Sequence, residues 1–275
     1  MTRKSRLSWV FLFTLLAANV FAGQTDTVSI YSPSMNSWIK NTVILPEDTG
    51  MREAFPVVYL LHGYGGDHRS WIRIHPGLPE LATRYGVIIV CPDGKNSWYW
   101  DSPAVPAQKY ETYVVRELIP YMDARYKTLP RRNGRAITGL SMGGHGGLWL
   151  GFRHPDLFGA CGSTSGGVDI RPFPENWDME KWLGCYRDNR ELWDEHTVMN
   201  QLHRLQPGSQ AIVIDCGTED FFYEVNEALH RKLLDSHIPH DYLTRPGAHN
   251  AAYWKNAVEY QLLFFYLFFD SRRSR

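Results

Sequence analysis

The chain has 275 residues, of which 44% are hydrophobic and 21% are charged, a composition typical of an ordinary globular protein. Its 29 basic residues balance its 29 acidic residues, which argues against nucleic acid or an anionic membrane surface as a partner. The length suits one large α/β domain with a well-buried core.

The first 22 residues have the pattern of a cleaved signal peptide. Basic residues near the N-terminus precede an apolar run from Trp9 to Ala18, and Val20 and Ala22 suit signal peptidase cleavage after Ala22. The apolar run, about ten residues long, falls short of the ~20 needed to span a bilayer. We therefore expect a secreted or periplasmic protein, with no membrane span in the mature chain and a single domain over residues 23–275.

Eight short apolar runs alternate with helical stretches along the rest of the chain. This alternation is typical of a parallel sheet built from β-α-β units. The first two runs indicate an antiparallel edge hairpin, and the central runs are continuously apolar, as in strands covered on both faces. The predicted strands are Thr27–Tyr31, Ile39–Leu45, Val57–Leu61, Val87–Cys91, Ala136–Leu140, Ala160–Thr164, Ala211–Cys216 and His240–Thr244.

Helices are predicted between the strands, at Leu78–Tyr85, Tyr110–Tyr126, Met142–Arg153, Tyr223–Asp235 and Ala252–Phe269. Pro120 predicts a kink in the second of them. The interval 166–207 is longer than an ordinary connection and contains three tryptophans, so we expect it to form a partly helical cap. The predicted fold is an α/β fold: a mostly parallel eight-stranded sheet, helices on both faces and a small cap insertion.

Four cysteines, Cys91, Cys161, Cys185 and Cys216, allow disulfides in an exported protein. Three of them lie in or beside apolar runs, where cysteine commonly acts as a small hydrophobic residue, so we expect mostly free, buried thiols. No CxxC or HExxH pattern is present and the 11 histidines are scattered. We therefore expect neither a metal nor another cofactor.

The pattern G-L-S-M-G at residues 139–143 predicts a nucleophilic serine, Ser141. In a nucleophile elbow, a serine occupies a strained turn between a strand and a helix, and glycines on either side leave room for that turn. A predicted strand precedes Ser141 and a glycine-rich helix follows it, which is the context that the motif requires. The alternative is a glycine-rich turn with an incidental serine.

A serine hydroxyl needs a base and an orienting acid, which follow it in this order: serine, acid, histidine. Asp220 lies in the loop after the strand at 211–216, where α/β sites are built. Asp215 is still within that strand, and Glu219 is the reserve candidate. His249 lies in a turn between the last strand and the last helix, and is the predicted base; its alternative role is to cap that turn.

Two backbone N–H groups are needed to stabilise the oxyanion of a tetrahedral intermediate. One is predicted at Met142, directly after the serine and at a helix N-terminus. The other is predicted at Tyr64, in the loop that follows the strand at 57–61. Glycines on both sides of Tyr64 let that backbone approach a substrate.

Motifs from most of the chain together resemble a known family. They are L-L-H-G-Y-G-G at 60–66, N-S-W-Y at 96–99, G-L-S-M-G-G at 139–144, D-C-G-T-E-D at 215–220 and P-G-A-H at 246–249. In this order they are similar to the Putative esterase family, which includes esterase D, tributyrin esterase, feruloyl and acetylxylan esterases and secreted mycolyl-transferring proteins. The resemblance implies the α/β-hydrolase fold, the same triad and an oxyanion donor after Gly63. His145 is one departure from the family pattern.

The substrate is less well defined by the sequence. Trp98, Tyr99 and Phe221, together with His62 and Gly63, are assigned to the substrate site, because aromatic faces suit both sugar rings and phenolic acyl groups. The alternative is that these aromatic residues belong to the core. Export is consistent with feruloyl or acetyl esters of plant polysaccharide and argues against formylglutathione, an intracellular substrate within the family.

Three functional hypotheses follow. The first is a secreted serine carboxylesterase, acting either on polysaccharide-linked acyl groups or on general short-chain esters. The second is an acyltransferase that uses the same triad, and the third is a non-catalytic binding protein on this scaffold. The acyl group, the leaving alcohol and the oligomeric state are not determined by the sequence.

Overall fold

The computed structural model describes residues 23–48, 50 and 52–272, so the predicted signal peptide lies outside the described residues. In this part of the chain, eight strands form one sheet in the order β1-β2-β4-β3-β5-β6-β7-β8. The strands are β1 (Thr25–Ser32), β2 (Ser37–Ile44), β3 (Val57–Leu61), β4 (Ile88–Pro92), β5 (Arg135–Gly139), β6 (Ala160–Thr164), β7 (Ala211–Gly217) and β8 (Asp241–Arg245).

The first two strands form the predicted antiparallel hairpin, with β1 at the edge of the sheet, and β2 also runs antiparallel to β4. The strands from β4 to β8 pair in parallel. The predicted mostly parallel eight-stranded sheet is confirmed. Its central strands are buried on both faces because helices cover each side.

Nine α-helical segments lie in the described part of the chain. They are α1 (Ser70–Ile74), α2 (Leu78–Tyr85), α3 (Tyr110–Thr112), α4 (Ile119–Arg125), α5 (Met142–Arg153), α6 (Met179–Leu183), α7 (Arg190–Glu195), α8 (Tyr223–Asp235) and α9 (Ala251–Ser271). None of the helices within the described residues is long and apolar enough to cross a bilayer.

Successive side chains along a strand point to opposite faces of the sheet, so they belong to two separate hydrophobic cores. Val57 and Tyr59 of β3 belong to the core that also contains side chains of α3, α4, α5 and α8. Val58 and Leu60 belong to the core on the other face, with side chains of α1, α2 and α9. The expected helices on both faces are therefore confirmed.

The helix predicted over 110–126 contains a π-helical segment, Tyr113–Leu118, between α3 and α4. Pro120 lies in the first turn of α4 and has no N–H to donate to the preceding turn. A π-helical turn just before a proline accommodates that missing hydrogen bond, and the kink stays a prediction.

The connection between β6 and β7 contains α6, α7 and two short 3₁₀ turns, Val198–Asn200 and Leu202–Arg204. Trp182 and Trp193 of this connection are buried. We refer to residues 166–207 as the insertion. Its role as a cap stays a prediction, as does the assignment of residues 23–275 to a single domain.

Candidate active site

Ser141 lies at a sharp turn between β5 and α5. Its backbone has φ 56° and ψ −119°, a strained conformation for a residue with a side chain, which the surrounding structure must hold in place. A Cβ atom on Gly139 would lie 2.5 Å from the carbonyl oxygen of Leu61, and one on Gly143 would lie 2.4 Å from the same oxygen. These contacts explain why the turn requires glycine on both sides of the serine.

The helix that follows Ser141 contains five glycines, at positions 143, 144, 146, 147 and 151. A Cβ atom on Gly147 would lie 2.4 Å from the carbonyl oxygen of Gly162 in β6, and one on Gly151 would lie 2.4 Å from Cβ of Cys161. The helix therefore lies almost directly on the sheet, which fixes its N-terminus and the serine before it.

Three distant segments bring a hydroxyl, an imidazole and a carboxylate into one line of hydrogen bonds. Ser141 Oγ lies 2.9 Å from His249 Nε2, and His249 Nδ1 lies 2.8 Å from Asp220 Oδ2 and 3.0 Å from Oδ1. Asp220 Oδ1 also accepts the N–H of Phe222 at 2.8 Å. With Nδ1 donating to the buried carboxylate, Nε2 is free to accept the serine proton.

The other two acids of this region have different surroundings. Glu219 is exposed, and none of the hydrogen bonds or ion pairs among the described residues joins its side chain to His249. Asp215 is buried in β7, where it accepts from Arg245 Nη2 at 2.6 Å and from Tyr253 Oη. Burial raises the pKa of Asp215. The structure thus places Asp220, rather than the reserve candidate, beside the imidazole.

Aromatic rings fix the position of the His249 imidazole. The centroid of Phe221 lies 4.2 Å from that of His249, and Trp254 meets the imidazole edge-on at 5.0 Å. Directly after His249, Asn250 caps α9 by accepting the N–H of Tyr253 at 3.1 Å. The base is therefore held by packing as well as by Asp220.

Two unpaired N–H groups lie on either side of the serine turn. Met142 N–H is at the first position of α5, where helix geometry leaves the donor without an intrahelical partner. Neither it nor Tyr64 N–H has a hydrogen-bond partner among the described residues. The loop that carries Tyr64 passes close to the elbow, since a Cβ atom on Gly63 would lie 3.2 Å from Ser141 Cβ.

A cavity of about 420 Å³ opens beside Ser141 and His249. Two of the residues assigned to the substrate site from the sequence, Gly63 and Phe221, line its wall, as does Tyr64, the predicted oxyanion donor. Trp177 and Trp254 add two further aromatic surfaces. The site therefore combines a polar centre with several aromatic side chains in its wall.

His62, Trp98 and Tyr99 do not line this cavity, contrary to the expectation from the sequence; each is at most 1% exposed. Trp98 and Tyr99 both have positive φ, in a turn that directs their rings inward. Tyr99 Oη accepts the N–H of His62 at 3.1 Å, and His62 Nε2 accepts the N–H of Gly94 at 2.8 Å. Tyr99 and His62 therefore brace the loop after β3, whereas Trp98 packs against Trp100 and Trp177.

His145, the departure noted in the family pattern, lies in the elbow helix α5 and is completely buried. Its Nε2 accepts the indole N–H of Trp100 at 2.8 Å, and its Nδ1 lies 2.9 Å from the carbonyl oxygen of Gly167. Its ring stacks on that of Trp149. Burial lowers the pKa of His145 to about 3. It is therefore a neutral hydrogen-bonded core residue at ordinary pH.

Three further residues near the site were not predicted from the sequence. Asn96 Oδ1 accepts the N–H of Gly65 at 2.8 Å, and Asp178 Oδ2 accepts the phenol proton of Tyr64 at 2.6 Å. Trp177 contributes to the cavity wall. Asn96 lies in the N-S-W-Y motif, so the sequence did contain a signal for its role. Trp177 and Asp178 lie in the insertion, where no local pattern indicates their neighbours.

The four cysteines are free; Cys91, Cys161 and Cys216 are buried and Cys185 is exposed. Within residues 23–48, 50 and 52–272, no group of three or more His, Cys, Asp and Glu side chains is arranged to hold a metal ion. The expectation of a reaction without a metal or another cofactor stays a prediction.

Comparison with known proteins shows similarity to esterases. A protein of Mycobacterium tuberculosis named as an esterase is 28% identical over 254 residues, which cover 82% of this chain and 54% of that protein, so the chain spans about half of that relative's length. An acetyl esterase of Caldicellulosiruptor saccharolyticus is 24% identical, with 84% of this chain and 94% of the relative covered.

A solved structure described as a ferulic acid esterase has a TM-score of 0.77 and 28% identity, covering 90% of this chain and all of that one. A fluorophosphonate-binding serine hydrolase of Staphylococcus aureus has a TM-score of 0.80 at 21% identity, covering 89% of this chain and 99% of that one, and shares the fold. The family model described as Putative esterase matches residues 32–265. The chain therefore belongs to the Putative esterase family and has the α/β-hydrolase fold.

Proposed function

We propose that this protein is a carboxylic ester hydrolase that works through an acyl-enzyme on Ser141. The observation that carries the proposal is the continuous line of hydrogen bonds from Asp220 through His249 to Ser141 Oγ, with distances of 2.8 Å and 2.9 Å. A serine hydroxyl in this setting can lose its proton as it attacks, which an isolated serine cannot do at neutral pH.

In the first half of the reaction, Ser141 Oγ attacks the ester carbonyl carbon while His249 Nε2 takes the hydroxyl proton. The tetrahedral intermediate collapses as His249 gives that proton to the departing alcohol. In the second half, water attacks the acyl-serine, His249 accepts a proton from the water, and the acid leaves as Ser141 regains its proton. Asp220 holds the imidazole in the required tautomer and stabilises its charged form.

The intermediate's oxyanion would be bound by the backbone N–H groups of Met142 and Tyr64. Both donors lack a partner among the described residues, and both lie on segments adjacent to Ser141. Donors that are fixed before the reaction stabilise developing charge without reorganisation, and one such donor is typically worth about 10²- to 10³-fold in kcat.

For the substrate, we propose acyl groups carried by carbohydrate, with feruloyl and acetyl esters of plant polysaccharide as the first candidates. Phe221, Trp177 and Trp254 line the cavity with aromatic faces, on which a phenolic acyl group or a sugar ring can stack. Similar proteins described as an acetyl esterase and a ferulic acid esterase support this class. A secreted or periplasmic location, with residues 1–22 removed, would bring the protein to such polymers.

The deciding experiment compares the wild-type protein with Ser141→Ala on p-nitrophenyl acetate. We expect Ser141→Ala to lose turnover by several orders of magnitude while its circular dichroism is unchanged. Ser236→Ala, an exposed serine on another face, is the matched control. Undiminished turnover by Ser141→Ala would end the proposal, and absence of any wild-type turnover would favour a binding protein on this scaffold.

A substrate panel then tests the finer proposal. Acetyl, butyryl and feruloyl esters are compared as simple alcohol esters and as esters of xylan fragments. We expect the highest kcat/KM on the xylan-linked esters. A preference for butyryl esters of simple alcohols would instead indicate a general short-chain esterase, and acyl transfer to an added sugar in place of hydrolysis would indicate an acyltransferase.

A further inference from the structure

A hydrogen bond joins the loop after β3, which lines the cavity, to the insertion. Tyr64 Oη donates to Asp178 Oδ2 at 2.6 Å, although the two residues are 114 positions apart in the chain. Tyr64 also carries the backbone N–H that we assign to the oxyanion. A contact of the Tyr64 side chain can therefore affect the position of its own backbone donor.

Asp178 is held firmly on the insertion side of this bond. Both Trp177 and Asp178 have left-handed backbones, with φ of 52° and 54°, which persist only where surrounding structure imposes them. The Trp177 ring supplies that restraint: its centroid lies 5.2 Å from that of Phe222 and 5.8 Å from that of Phe221. The Asp178 carboxylate is therefore presented from a packed turn.

The β3 loop has a second anchor next to Tyr64. Asn96 Oδ1 accepts the N–H of Gly65 at 2.8 Å. Gly65 has φ 73°, a conformation that glycine adopts without strain. The Asn96 bond fixes the peptide between Tyr64 and Gly65. The carbonyl oxygen of Gly63, in the same peptide plane as the Tyr64 N–H, accepts the N–H of Gly66 at 3.0 Å and lies 2.7 Å from His62 Nδ1. The phenol bond to Asp178 adds a restraint on the Tyr64 side chain. The bonds to Gly63, Asn96 and Asp178 together define the direction of the Tyr64 N–H.

We infer that Asp178 is a positioning residue for the reaction, which holds the Tyr64 N–H toward the oxyanion through the Tyr64 phenol. This inference rests on the proposed function. It extends the active site to the insertion, which contributes no member of the Ser141–His249–Asp220 line. A role in transition-state binding would lower kcat when the bond is lost and leave the ground-state affinity, reflected in KM, nearly unchanged.

The chemistry of the pair fits this role. The Asp178 carboxylate raises the pKa of Tyr64, so the phenol remains a hydrogen-bond donor over the working range of a serine esterase. Because the bond is accessible to water, its effect is smaller than that of removing an oxyanion donor outright. We expect a decrease in kcat of about five- to tenfold.

The test is a double-mutant cycle on p-nitrophenyl acetate, whose small acyl group limits direct contact with the insertion. Tyr64→Phe, Asp178→Ala and the double variant should each lose about the same factor in kcat, with little change in KM. Asp178→Asn keeps an oxygen acceptor for the phenol and should recover most of the wild-type kcat. Asp188→Ala, an exposed aspartate elsewhere in the insertion, is the matched control.

Several results would overturn the inference. One is an unchanged kcat in Tyr64→Phe, which removes a single oxygen atom and keeps the ring packing. The inference is also wrong if the two single decreases in kcat multiply in the double variant, if only KM changes, or if Asp178→Asn does not recover kcat. If the proposed function itself is wrong, the Ser141→Ala comparison fails first, so the two failures are distinguishable.

Discussion

Replacing Asp220 by asparagine should disable the site by reversing the tautomer of His249. Phe222 N–H donates to Asp220 Oδ1 at 2.8 Å, so an asparagine keeps its carbonyl oxygen at that position. Its NH₂ group then occupies the place of Oδ2, 2.8 Å from His249 Nδ1. The imidazole must accept at Nδ1 and carry its proton on Nε2, which faces Ser141 Oγ at 2.9 Å and can no longer take a proton from it.

We expect Asp220→Asn to lower kcat by about 10³- to 10⁴-fold on p-nitrophenyl acetate at pH 7.5, with a KM close to that of the wild type. The neighbouring Glu219→Gln is the matched control, because it makes the same chemical change at an exposed carboxylate. The melting temperatures of all three proteins are measured alongside. A folded Asp220→Asn variant with kcat within tenfold of the wild type would refute the reasoning.

Three further predictions follow from the local structure. Glycine adopts φ 56° and ψ −119° without strain, so Ser141→Gly should be about 1 kcal/mol more stable than Ser141→Ala in urea unfolding; equal midpoints would count against a strained elbow. In Gly143→Ala the new Cβ would lie 2.4 Å and 2.6 Å from the backbone oxygens of Leu61 and His62, and we expect a loss of at least about 2 kcal/mol together with most of the activity; an unchanged melting temperature would contradict this. Burial lowers the pKa of His145 to about 3 in the folded protein, whereas the pKa of an unfolded-state histidine is about 6.5. Below about pH 6.5 the unfolded chain therefore binds a proton that the folded chain does not. The free energy of unfolding consequently decreases as the pH is lowered, by about 2 kcal/mol at pH 5. The difference between urea midpoints at pH 7.5 and pH 5 should shrink in His145→Gln; a difference equal to that of the wild type would show that His145 does not contribute.

The sheet and the residues around Ser141 could be predicted because their signals are local. Strand β3 and helix α5 begin and end where the sequence pattern placed them. Each member of the triad comes shortly after a predicted strand: Ser141, Asp220 and His249. The carboxyl ends of parallel strands meet at one edge of a sheet, so these residues were expected to lie close together. The chain order of the three residues then limited the choice among several histidines and acids.

Side-chain direction within a loop could not be predicted in the same way. Trp98 and Tyr99 lie in a polar, turn-like stretch and are nevertheless fully buried, because two consecutive left-handed residues turn their rings inward. Composition alone does not reveal such a backbone reversal. The short helix α1 was also missed, since five residues carry too little periodicity.

The contact between Tyr64 and Asp178 could not be predicted for another reason. It depends on how a long insertion returns to the sheet, and no pattern in either segment specifies the other. The insertion also supplies Trp177 to the cavity wall. The part of the site expected to differ most between relatives is thus the part that the sequence describes least.

The five glycines of α5 have a consequence for how this protein loses activity. Each glycine costs a helix about 0.8–1 kcal/mol relative to alanine, so this segment would scarcely be helical as a free peptide. Its helical form depends on direct contact with β5 and β6. A partially unfolded molecule that has lost this contact would also lose the turn that aims the serine, so amide protons of α5 should exchange with solvent only when the whole sheet opens, and inactivation and global unfolding should coincide.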